Sequence, residues 1–289
     1  MRIWFPLATL LSVGWLLLVS ILISRGGGSS TAQATDAARL LRQSQEAMLE
    51  LDSFQFQLTS LWAGREATFS LAWESPDSFH VLYPLLEQRQ ESDQEPVIIG
   101  NGILEAIAVQ DVVYARQCAA EGQDCQPWQE GPRENVYVPV IAPELEPFWT
   151  IDLLGMMSDV QIVGQEDVEG VASTLIRGKA NVLRAMIQSW RHTEEVRGPI
   201  YWGEECTANA TEPGGETQED CHDTTLDEYV AMYDESVRDQ DENPGTVEVW
   251  IGLDDKLLRR LEFPLASDSA TEGYFALSEF DEVTVEPPR

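Results

Sequence analysis

Gly245-Thr-Val-Glu-Val-Trp-Ile-Gly-Leu-Asp-Asp-Lys-Leu-Leu-Arg-Arg-Leu-Glu-Phe263 alternates apolar and polar side chains, turns at Asp254-Asp255, and alternates again. Successive side chains of a strand point to opposite faces, so this stretch reads as an antiparallel hairpin with one dry and one wet face. The same period recurs upstream. Phe54, Phe56, Leu58 and Trp62 point one way, and Gln55, Gln57 and Thr59 the other. Ala67, Phe69, Leu71 and Trp73 alternate with Glu66, Thr68 and Ser70, and Phe79, Val81 and Tyr83 follow the Pro76-Asp77 turn. Short connections between consecutive strands predict an antiparallel meander.

Further strands are predicted at Val97–Ile99 and Ile103–Val109, as a hairpin about Asn101-Gly102, and from Val112 to Tyr114. Val160–Val163 and Val171–Ile176 form another hairpin around Glu169-Gly170, and Tyr274–Val285 closes the series. Helical spacing of Leu40, Leu41, Ser44, Ala47, Met48 and Leu51 predicts a helix starting at a Thr35 or Asp36 cap. Pro147–Met157 is apolar almost all round, as a buried helix is, and Asn181 caps a helix to about His192. The sum is one α+β domain: a curved antiparallel sheet with a few helices.

Ile3–Ile23 is an uncharged run long enough to span a bilayer, preceded by Arg2. Residues 1–24 therefore read as a transmembrane signal anchor, or as a signal peptide cut after Ala34, which would release the chain; the length favours the anchor. Residues 25–35 form a Gly/Ser/Ala tether. Residues 36–289 form the domain, which the positive-inside rule places outside the cytoplasm.

Fifty acidic residues against eighteen Lys and Arg give a net charge of −32, and Lys179 and Lys256 are the only lysines. Such a surface repels nucleic-acid phosphates and anionic headgroups, so nucleic acid is not an expected partner. Residues 203–243 hold fourteen Asp and Glu against Arg238 alone, and read as a solvated insertion with a short helix at Thr225–Tyr233. A protein partner is a possibility for this segment. Cys118, Cys125, Cys206 and Cys221 are an even set in an exported chain, and read as two disulfides. Three connectivities exist; local pairing, Cys118–Cys125 and Cys206–Cys221, is the most economical.

No chemistry is nominated. His80, His192 and His222 each have an ordinary structural role available. Cys206, Cys221 and His222 offer three zinc ligands where a structural site needs four. Asp239-Gln-Asp241 starts like a calcium loop, but Pro244 and Trp250 stand where that loop needs Gly and Glu. Nucleophile-elbow, metalloprotease and phosphate-loop motifs are absent from the sequence, and no cofactor is implied.

Several short motifs together resemble the LolA-like superfamily, in particular the LppX/LprAFG group of envelope lipoproteins. They are Met48-Leu-Glu-Leu-Asp-Ser-Phe54, Trp73-Glu-Ser-Pro-Asp77, Phe148 to Lys179 with Leu153-Leu154 and Val168-Glu-Gly170, Val247-Glu-Val-Trp-Ile251, and Leu277-Ser-Glu-Phe-Asp281. The resemblance implies a half-open β-barrel closed by helices around an apolar cavity, and a non-catalytic role in binding or carrying lipids or acylated molecules. Phe56, Leu58, Phe69, Leu71, Trp73, Trp149, Leu153, Met157, Val249 and Ile251 are the expected lining. The group's lipid-modified cysteine is missing, because no Cys precedes Cys118. Two other functions fit the same pattern: an envelope-state sensor that binds a protein partner, and a surface domain with a filled core.

Overall fold

The computed structural model describes residues 33–62, 65–75, 78–89, 97–132, 148–197, 204–209, 218–263 and 270–288. The expected anchor and most of the tether lie outside these residues. No helix among the described residues is long and apolar enough to cross a membrane.

Thirteen strands are described. Six come first: β1 Ser53–Trp62, β2 Arg65–Glu74, β3 Ser78–Arg89, β4 Val97–Val109, β5 Val112–Cys118 and β6 Gln129–Pro132. Then come β7 Ser158–Val168, β8 Val171–Ala180, β9 Glu204–Asn209, β10 Gln218–Asp223, β11 Gly245–Gly252, β12 Leu258–Phe263 and β13 Ala270–Ser278. The helices are α1 over residues 33–49, α2 Phe148–Met156, α3 Val182–Arg197, α4 Leu226–Ala231 and α5 Asp234–Glu242.

Eleven strands form one antiparallel sheet in the order β6-β5-β4-β3-β2-β1-β13-β12-β11-β8-β7. The sheet stays open between β6 and β7, and is the curved half-barrel expected from the sequence. Strands twist, so a sheet of this many strands curls rather than lying flat. Three local runs (β1–β6, β7–β8, β11–β13) are joined by two long-range seams, β1 with β13 and β8 with β11.

The chain's end fastens the first seam. Asp281 Oδ1 accepts from Asp52 N at 2.8 Å, Asp281 N donates to Ser53 O at 2.8 Å, and Val285 N donates to Glu74 Oε2 at 2.7 Å. Glu279 and Asp281 have φ of 51° and 57°, left-handed values that end the strand. The last strand therefore stops at Ser278 rather than running to Val285.

Four other expectations are corrected. Asn101-Gly102 is not a hairpin turn but lies inside the single strand β4. Gly102 takes φ +115°, and a Cβ there would sit 2.3 Å from the Cys118 carbonyl oxygen on β5, so a glycine is needed by a close approach. Helix α1 is already helical at residue 33, so neither Thr35 nor Asp36 caps it; Asp36 pairs with Arg39 instead. Helix α3 runs on to Arg197, which leaves His192 inside it rather than at its end.

The acidic insertion is the fourth correction, for it holds the β9–β10 hairpin and two helices. Helix α4 is capped by Thr225, whose side chain and that of Glu228 satisfy each other's backbone N–H. Helix α5 buries no residue, and it takes up the Asp239–Asp241 stretch that resembled a calcium loop. Polar bonds hold it. Asn181 Oδ1 caps α3 by accepting from Arg184 N at 3.0 Å, while its Nδ2 donates to Val237 O at 2.9 Å and Asp241 Oδ1 at 2.8 Å. Arg184 forks onto the same carboxylate; those bonds hold the Asp241 carboxyl below its ordinary range and raise the Arg184 guanidinium above its own.

Cys118 and Cys125 are joined by a disulfide, as expected. The register of β9 and β10 places Cys206 directly opposite Cys221. Their side chains lie outside the described set. Directly opposed residues of an antiparallel pair are about 4.5–5.5 Å apart at Cα, which is within disulfide reach. Non-reducing peptide mapping is expected to recover the Cys206 and Cys221 peptides linked to each other. A Cys206 alkylated without prior reduction would contradict that pairing.

Candidate functional site

Period-two alternation sorts the sheet into an apolar inner face and a polar outer face. On the inner face β1, β2 and β3 form rungs: Phe54–Trp73–Phe79, then Phe56–Leu71–Val81, then Leu58–Phe69. Across the seam, Leu58 meets Phe275, Phe275 meets Leu261, Leu261 meets Val249 and Val249 meets Ile176. Helix α2 lies on this face. Trp149 sets its ring edge-on to Phe263 at 5.5 Å and to Phe275 at 5.0 Å, and Phe148 stands edge-on to Trp73 at 5.2 Å. Such aromatic pairs add to the burial itself. Helix α1 contributes Ala37, Leu41 and Met48 to the same cluster.

Gly178 on β8 allows α2's end to close down. A Cβ there would lie 2.9 Å from both Met157 Cε and Val160 Cγ1.

All ten expected lining residues belong to this one cluster or pack against it. They are not equivalent. Phe56, Trp149, Leu153, Val249 and Ile251 have no exposed surface at all, so they are packed on every side. Leu71 and Phe69 keep a trace of exposure, Leu58 and Trp73 keep 8%, and Met157 is half-buried. Along β3 and β4, Val81 and Ala106 are sealed, with Phe79 half-buried to one side of them and Tyr83 and Leu104 half-buried to the other.

Sequence reasoning placed Phe263 and Phe275 in strands but left them off the lining. The two rings stack at 5.3 Å beneath Trp149. Their alternation with Glu262 and Tyr274 was the signal for them.

Among the described residues, two polar atoms inside this apolar cluster have no hydrogen-bond partner. The Trp73 indole N–H and the Ser44 hydroxyl are buried without a hydrogen bond. Ser44 has no exposed surface and shares its helix face with Leu41 and Met48. Arg259 and Arg260 each also carry an unbonded Nε, but their other nitrogens bind Asp255 and Glu262, and their guanidiniums cover Phe280 and Tyr274. A buried donor left unsatisfied costs about 1–3 kcal/mol.

The outer face carries the charges. Glu105 accepts from His80 Nε2 at 2.9 Å and from two nitrogens of Arg116 at 2.7 Å, and Arg116 lies 4.2 Å over the Trp128 ring. The sulfurs of Cys118 and Cys125 are close to the Glu105 carboxylate, but in the disulfide they are not thiolate ligands. Farther round the sheet, Arg177 pairs with Glu248 at 2.6 Å, and the Trp250 indole donates to Glu166 at 2.9 Å.

Asp152 on α2 is half-buried, and that burial raises its carboxyl above the usual 3.8; His192 opposes this by charge, a smaller effect. The folded state therefore holds this proton more tightly than the unfolded chain does. Stability from this group is full below pH 3.8 and falls as pH rises through the raised value. Asp152→Asn removes the penalty. Its Tm is expected to exceed wild type at pH 7, with the gain vanishing in acid below the ordinary carboxylate range. A variant no more stable than wild type at pH 7 would contradict this.

No protein-family profile matches the sequence, and no curated protein sequence matches it. Among solved structures, the fold is similar to that of the Mycobacterium tuberculosis lipoprotein LppX, at TM-score 0.44 and 13% identity over 87% of this chain and 99% of that one. It is similar to LprF from Mycobacterium bovis at TM-score 0.44 and 13% identity, over 89% and 98% of the two chains. A LolA-superfamily protein from Nitrosomonas europaea is also similar, at TM-score 0.26 and 8% identity over 86% and 94%.

Proposed function

We propose that this chain is an extracytoplasmic binding or carrier protein for lipids or acylated molecules, held at the membrane by residues 1–24 and without catalysis of its own. The observation that carries the reading is the inner face of the half-barrel. It carries one continuous apolar cluster from β5 to β8, and the described helices do not cover all of it. Phe79, Tyr83 and Leu104 on β3 and β4 are only half-buried, and Leu58 and Phe69 beside them keep 8% and 5% exposure. Acyl chains suit such a surface, since each buried CH₂ is worth roughly 0.8 kcal/mol and needs no polar partner.

The test is uptake. The full chain, stripped with detergent, is mixed with vesicles containing radiolabelled triacylglycerol and re-isolated. Near-stoichiometric label is expected on wild type, and strongly reduced label on Phe69→Glu with an unchanged circular dichroism spectrum. No label on wild type, or full label on a folded Phe69→Glu, would contradict the reading.

A further inference from the structure

We infer that the interior selects ligands carrying a hydrogen-bond acceptor among their apolar chains, an acyl carbonyl above all, through the indole N–H of Trp73 and the hydroxyl of Ser44. The inference rests on the lipid-binding reading and assigns its polar recognition.

Three observations lead to it. First, both donors are buried, Ser44 wholly and Trp73 all but 8%, and neither has a hydrogen-bond partner among the described residues. Buried polar groups in folded proteins are nearly always bonded, so an exception points to a group that arrives from outside. Second, both belong to the apolar trough. Trp73 lies between Phe54 and Phe79 on the sheet, with Phe148 of α2 across it. Ser44 is on the buried face of α1 with Leu41 and Met48, which pack into the same cluster. Third, the local alternatives are not taken. A helical serine ordinarily donates to the carbonyl four residues back, and the hydroxyl of Ser44 does not. Trp250, on the outer face, shows the ordinary outcome for a tryptophan in this sheet: its indole N–H reaches Glu166 at 2.9 Å.

Both groups can donate, and an indole N–H can do nothing else. A carbonyl oxygen accepts from either without bringing a charge into the apolar interior. A plain hydrocarbon offers no acceptor and leaves both donors unpaired, so the pair discriminates between ligands of equal chain length.

The experiment loads the full chain, stripped with detergent, with an equimolar mixture of dioleoylglycerol and octadecene, then quantifies both after organic extraction. Wild type is compared with Trp73→Phe, which keeps an aromatic ring against Phe54 and Phe148, and with Ser44→Ala. Each variant is expected to lower the ratio of bound dioleoylglycerol to octadecene roughly 2- to 10-fold, the loss of one ordinary hydrogen bond. The Trp73 indole N–H resonance, assigned by its absence in Trp73→Phe, is expected to move downfield with dioleoylglycerol and not with octadecene. An unchanged ratio in both variants overturns the inference while lipid binding stands. Wild type that takes up neither compound overturns the lipid-binding reading and this inference with it.

Discussion

Trp149→Ala is expected to lower the free energy of unfolding by about 3–5 kcal/mol, the range for removing a large buried aromatic side chain. Trp149 has no exposed surface, and its ring closes edge-on over the stacked Phe263 and Phe275. Those two strands adjoin the seam where β13 meets β1, so the void would open where the sheet's long-range pairing is made. Domains are stable by only about 5–15 kcal/mol, so the change is a large fraction of the whole. Chemical denaturation reads it directly: the midpoint falls while the slope stays near wild type. Trp149→Phe keeps part of the aromatic contact and should lose less. A loss under about 1 kcal/mol for the alanine variant would mean that α2 is not a fixed part of the core.

Glu105→Ala is expected to cost about 2–3 kcal/mol, from lost charge-assisted hydrogen bonds and a stranded arginine. Glu105 is 9% exposed and ties three strands together, taking His80 from β3 and Arg116 from β5. Its removal leaves the Arg116 guanidinium over the Trp128 ring without the carboxylate that pairs with it. Arg116 is still partly exposed, so water offsets some of the loss and the figure stays below that of a fully buried pair. Glu105→Gln retains an acceptor and should lose less. A double-mutant cycle with Arg116→Ala isolates the pair: coupling near zero would show that the contact is ornamental, and about 1–3 kcal/mol is expected.

The strands were legible because one face is dry. Phe54, Phe56, Phe69, Leu71 and Trp73 could be assigned to that face by period two alone. What the period could not convey is where the helices sit upon it. Leu153 and Met157 read alike as apolar helix residues, yet Leu153 is packed on all sides and Met157 is half-buried. The Asn101-Gly102 pair misled because the demand for glycine comes from Cys118 on the neighbouring strand, not from a turn. Helix α5 was missed because it buries nothing; five polar contacts to Asn181, Leu183 and Arg184 replace the apolar stripe that would have marked it. Likewise the unpaired Trp73 N–H is invisible in sequence, where a tryptophan in an apolar row is merely apolar. Only the positions of its would-be partners reveal that none is within reach.

The measurement that bears most directly on the central claim is native mass spectrometry of the full chain purified from its own source in a short-chain detergent, with organic extraction of whatever stays bound. The account predicts a stoichiometric acylated ligand that leaves when the protein is unfolded. A bare protein mass, from a sample that also fails to take up acyl lipid when it is offered, would contradict it and leave a half-barrel whose interior is filled by its own side chains.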